Sequence, residues 1–159
     1  MTDTAHHTDV VVAGIDGSLA SRLALAWAAD EADQRGWHLH VLTAWQSPPP
    51  STDPSTEGED APPSTLSEPD DAAREATEMV DREVQAVLGE EATVARRAEP
   101  GRPAEVLIEA TRHARLLVIA APGHGVHDRW YGVAEQVARN ARCAVLMVPG
   151  PDAPRAGAR

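Results

Sequence analysis

Short apolar runs that alternate with helical stretches constrain this chain most. "DVVVAGID" (residues 9–16) is β-branched and almost continuously apolar. Such a run reads as a strand covered on both faces, the condition of a parallel sheet. "GSLASRLALAWAADEADQRG" follows, with Leu19, Leu23, Ala26 and Trp27 at helical spacing, Ser18 placed to cap the start and Gly36 to stop it. These four make the apolar stripe of the helix, and the next turn brings Asp30 to that face, so the stripe ends there or slides toward Ala29. "HLHVLTAW" (38–45) is a second strand, and strand–helix–strand with short joints makes a right-handed βαβ unit.

The alternation breaks once. Residues 47–69 hold seven of the thirteen prolines and almost nothing apolar. Such a segment cannot bury enough surface to offset its ordering entropy, so the reading is a flexible acidic loop. Helical pattern resumes with Ala72, Ala76, Met79, Val80, Val84, Val87 and Leu88 on one stripe. A weaker strand over 92–99, a helix opened by Pro103, a strand over 115–121, a helix over 130–141 and a strand over 143–149 complete the chain. The fold class is α/β, a doubly wound open sheet of five mainly parallel strands with four helices. The domain spans 9–149, with flexible ends at 1–8 and 150–159. Ligands of such sheets bind beyond the carboxyl ends of the strands, where strand order reverses.

Charge and cysteine content narrow the function classes. The net charge of −11 is uneven: residues 1–46 carry −4, residues 47–91 carry −11 and residues 92–159 carry +4. There is no lysine, so all basic side chains besides histidine are arginine. An acidic whole disfavours binding to nucleic acid or anionic membranes. One cysteine, Cys143, excludes an internal disulfide, sits in an apolar run and reads as an inert thiol. No apolar run approaches the ~20 residues of a membrane span, and "MTDTAHHTD" lacks the features of a signal peptide, so a cytoplasmic location is expected.

Three stretches in order carry a family resemblance: "VVVAGIDGSLASRLALAWAADEA", "GRPAEVLIEATRHARLLVIAAPGHG" and "GVAEQVARNARCAVLMVP". Together they resemble the universal stress proteins over residues 9–149, apart from the proline-rich loop. The resemblance implies a Rossmann-like, adenine-nucleotide-binding fold, a homodimer paired through the last strand (143–148), a regulatory protein partner and a role in stress response. It places Ile15 and Asp16 near base and ribose and Ala44 beside adenine. It makes Ala120, Gly123, His124, Gly125, Gly132 and Val133 the phosphate loop. Asp16 reads equally well as an Asx turn entering the helix.

The loop departs from the family pattern. Ala120 stands where a glycine closes the strand, and eight residues separate Gly123 from Gly132, one fewer than in the family. Val133 takes the place of a hydroxyl residue. Anchoring on "VAEQVARN" instead puts Gly132 there, which also lacks a hydroxyl. A lost hydrogen bond to an anion weakens binding by about 1.5–3 kcal/mol, so ATP or another adenine nucleotide is expected to bind weakly. His124 and His127 have no third ligand beside them and suggest no metal site. Arg129 reads as solvated, and Trp130 and Tyr131 as packing residues. No Ser–His–Asp set, paired carboxylates or lysine-bearing phosphate loop is present, so no enzyme is expected. The alternatives are a family member acting through protein contacts alone and a slow ATPase.

Overall fold

The computed structural model describes residues 9–47, 69–122 and 132–151. Five strands and four helices alternate: β1 Val10–Gly14, α1 Leu19–Arg35, β2 His38–Trp45, α2 Pro69–Leu88, β3 Ala95–Pro100, α3 Pro103–Ala110, β4 Leu116–Ala120, α4 Val133–Asn140 and β5 Ala144–Val148. The strands form one sheet in the order β3-β2-β1-β4-β5, and every neighbouring pair is parallel. The doubly wound reading holds. The order reverses between β1 and β4, which opens the strand ends there. Of the proline-rich stretch only its ends, Ser47 and Pro69, lie within the described residues, and Pro69 opens α2.

Alternation along β1 divides the core into two layers. Val11, Ala13 and Ile15 face α1 and α2 together with Leu39, Val41, Val80 and Val84. Val10 and Val12 face the other side with Leu107, Leu117, Ile119 and Val137. Gly14 closes β1 where α3 comes nearest. A Cβ there would lie 2.8 Å from Leu107 Cδ2 and 2.9 Å from Ile119 Cγ2, so glycine sets the spacing between α3 and the sheet.

The apolar stripe of α1 is not the face that the helix buries. Leu19, Leu23 and Trp27 are 59%, 38% and 53% exposed, while Ser21, Ala24, Leu25, Ala28 and Ala32 are buried. Small side chains let the helix lie close to the sheet, and Leu25 supplies the one large buried contact. Two boundaries also move. The third strand begins at Ala95, and the last helix at Val133, with residues 130 and 131 outside the described set.

An ion pair fixes α1 to α2. Arg22 Nε donates to Glu83 Oε2 at 2.6 Å and Arg22 Nη2 donates to Glu83 Oε1 at 2.9 Å. Glu83 is 3% exposed while the Arg22 side chain is 43% exposed, and the carboxylate raises the guanidinium pKa. Removing only the arginine leaves a buried carboxylate without its cation, the costly way to break such a pair. Arg22→Met is therefore expected to lower the melting temperature more than the double variant Arg22→Met/Glu83→Met. Thermal unfolding of both variants and the wild type checks the order.

Candidate functional site

The site begins where β1 ends. Ile15 is fully buried: its N–H donates to Leu42 O at 2.9 Å and its carbonyl accepts the Thr43 hydroxyl at 2.8 Å. These two bonds consume the polar backbone of Ile15 and level the ends of β1 and β2. Asp16 follows, 8% exposed, with Oδ1 accepting the Ser18 N–H at 2.9 Å. That is the Asx turn, and Gly17 completes it at φ +83°. Ser18 then caps α1, its Oγ accepting the Ser21 N–H at 3.1 Å.

A cleft of about 530 Å³ opens at this point. One side is Asp16 with Thr43, Ala44, Trp45 and Gln46 from the end of β2. The facing wall is α2, which presents Ala72, Ala76 and Met79 as apolar surface and Glu75, Glu78 and Arg82 as charges. Trp45 is held in place by its indole N–H, which donates to Ala98 O at 3.3 Å. The cleft thus combines a buried carboxylate, apolar flats and an open mouth. It suits a planar ligand carrying hydroxyl or amine donors.

The structure brings Asp16 and Ala44 into this one cleft. Ala120 ends β4, on the other side of β1 from β2: Ala13 pairs with Val118, so Ala120 is level with Ile15 across the β1–β4 opening. Gly132 is the N-cap of α4 at φ +78°. Val133 is 7% exposed and belongs to the core cluster of Leu107 and Ile119. Its side chain packs in that core. Gly123, His124 and Gly125 lie outside the described residues, as do His127, Arg129, Trp130 and Tyr131. Cys143 is half-buried, its thiol pushed above the ordinary cysteine value by burial. The α2 wall was missed by sequence reasoning. Its residues read as one helical stripe, and nothing local to them says that the first turns border an opening.

A second groove, of about 660 Å³, runs along the opposite face of the sheet between α3 and β3, over His40 and Leu42. Burial, then the nearby Arg97 and His38, lower the His40 pKa. The unfolded chain therefore takes up a proton at His40 before the folded chain does, and stability falls as pH drops below 6.5, the ordinary value. His40→Gln is expected to flatten the acid side of a melting-temperature profile measured from neutral pH downward. A profile unchanged by the substitution would contradict this.

Among the described residues no helix is long and apolar enough to cross a membrane, and no group of three metal-ligating side chains is found.

Residues 7–149 match the profile of the universal stress protein family. A universal stress protein of Mycobacterium tuberculosis is 32% identical over 146 residues, covering 91% of this chain and 50% of that protein. The chain spans about half the length of the curated relatives it matches. Among solved structures, a universal stress protein in complex with cAMP superposes with a TM-score of 0.61 at 26% identity, covering 87% of this chain and 95% of the other. A universal stress protein from Lactobacillus plantarum gives a TM-score of 0.63 at 18% identity over 90% and 98% of the two chains. At that identity the second likeness concerns the fold alone.

Proposed function

Because the chain belongs to the universal stress protein family, we propose that it is a stress-response binding module that takes an adenine nucleotide weakly at the carboxyl ends of β1, β2 and β4. The observation that carries this reading is the buried Asp16 carboxylate at the head of the cleft. One oxygen is engaged by the Ser18 amide, and the residue lines an opening able to admit a planar ligand. The carboxylate accepts ribose or amine hydrogens, and Ala44 and Met79 offer flat apolar contact to a base. The solved relative with cAMP, 26% identical, supports the ligand class.

Weakness follows from the phosphate side. Ala120 adds a methyl where the backbone nears the ligand, and neither Gly132 nor Val133 brings a hydroxyl. The α2 wall adds Glu75 and Glu78 against Arg82, a balance that favours fewer phosphates. The protein acts by binding, in the cytoplasm, and not by turnover, through a homodimer and a regulatory protein partner. Edge chemistry supports the dimer. β3 carries Arg96, Arg97, Glu99 and Pro100, which guard an edge against pairing, whereas β5 reads Ala-Val-Leu-Met-Val without a charge. Pairing of β5 with its copy about a two-fold axis covers the unguarded edge.

Isothermal titration with cAMP, AMP and ATP tests the binding. Dissociation constants in the micromolar range or weaker are expected, with no ATP consumed over hours. Submicromolar ATP affinity would contradict the weakness, and steady phosphate release would favour the slow ATPase.

A further inference from the structure

The first half of α1 is apolar on its outer face as well as its inner one, and only the inner face packs within the chain. Among the described residues the exposed large apolar side chains are Leu19, Leu23 and Trp27, and all three lie on the outer face of this one helix. Their spacing of i, i+4, i+8 makes them a single stripe. Arg22 points to the other flank, where it meets Glu83 on α2.

The flank of α1 that carries Ala20, with Trp27 two turns on, looks toward the β5 side of the sheet. A Cβ on Gly150, just past β5, would lie 3.3 Å from Ala20 Cβ, and Leu146 packs on the α1-side core. Trp27 lies seven residues below Ala20, about 10 Å down the helix at 1.5 Å per residue. Three residues of strand at about 3.3 Å each cover the same distance. Trp27 therefore stands beside the centre of β5, at the level of Leu146 and Met147. The stripe runs beside the open edge and ends at Asp30, an exposed carboxylate three residues beyond Trp27 on the same face.

We propose that the outer stripe of α1 — Leu19, Leu23 and Trp27 — is the second half of a homodimer interface whose first half is the β5 edge, and that its occupant is a second copy of this chain. The proposal rests on the β5-paired dimer of the proposed function and extends it. A two-fold axis normal to the sheet puts both copies of α1 on the same side of a continued sheet. Each helix lies across β1 and β4, about two strand spacings or ~10 Å from the axis. The backbones stay apart, while Trp27 and Leu23 of each copy lean over the paired β5 strands and cover the two Leu146 side chains. Edge pairing of five residues alone falls well short of the ~800 Å² per partner of a stable interface, and the stripe supplies the missing apolar area. A buried tryptophan near the axis is also the residue type that dominates interface energetics.

Sedimentation velocity over a concentration series, with circular dichroism as a check on folding, tests this. The wild type is expected to be a dimer. Leu23→Glu/Trp27→Glu is expected to be a folded monomer, with the dimer dissociation constant raised about thirtyfold or more. Ala86→Glu, an added charge on the exposed face of α2, is expected to stay dimeric. Should the double variant lose helical signal, Trp27→Ser alone is measured, with the same expected direction. A dimeric wild type whose stripe variants stay dimeric overturns the role of α1 and leaves β5 pairing standing. A monomeric wild type overturns both.

Discussion

Asp16→Asn is expected to lower adenine-nucleotide affinity by about tenfold to a hundredfold, the worth of one or two hydrogen bonds to a charged acceptor. The melting temperature should stay nearly unchanged. The variant separates the two roles that the residue plays. An asparagine oxygen still accepts the Ser18 N–H that Asp16 Oδ1 accepts at 2.9 Å, so the turn into α1 and the Ser18 cap survive. The charge and the second carboxylate acceptor are lost. Asp16→Ala removes both functions and is expected to lose binding and some stability together. Titration calorimetry paired with thermal unfolding reads the two effects. Equal affinities for the wild type and Asp16→Asn would reduce Asp16 to a turn residue.

A large effect on stability is expected at Gly14, where the packing leaves no room for a side chain. A Cβ there meets Leu107 Cδ2 at 2.8 Å and Ile119 Cγ2 at 2.9 Å, both in the core between the sheet and α3. Overpacking of this kind costs about 1–3 kcal/mol for Gly14→Ala, and Gly14→Val is expected to cost more. The clash is with side-chain ends, and Leu107 touches the added atom at two places, Cδ2 at 2.8 Å and Cδ1 at 3.5 Å. Leu107→Ala alone should cost about 2–5 kcal/mol through the cavity it leaves. In the double variant the new methyl enters that cavity, so the combined loss should be less than the sum of the two. A double-mutant cycle by denaturant unfolding measures the coupling. Strict additivity would show that α3 shifts away as a unit instead.

How much of the fold and the site is legible in the amino-acid sequence depends on how local the cause is. β1 is legible because five consecutive buried residues have few other uses. The end of β1 is legible because Asp16-Gly17-Ser18 carries its own turn chemistry, and the structure places each of the three in that turn. The buried face of α1 is not legible in the same way. Periodicity favours the largest side chains, yet the sheet accepts the face of Ser21, Ala24, Ala28 and Ala32 because small residues allow close approach. The Arg22–Glu83 pair joins positions 61 residues apart, and the α2 wall of the cleft borders Asp16 only once α2 has packed beside α1. Both are tertiary facts with no local signal.

The most direct test of the central claim is an amide NMR titration with AMP or cAMP on the full chain. Binding at the strand ends predicts shifts concentrated at residues 15–18 and 43–46, at Ala120 and Ala121, and in the first turns of α2, with the β2–β3 groove around His40 and Arg97 quiet. Shifts confined to that groove, or none at millimolar nucleotide, would contradict it.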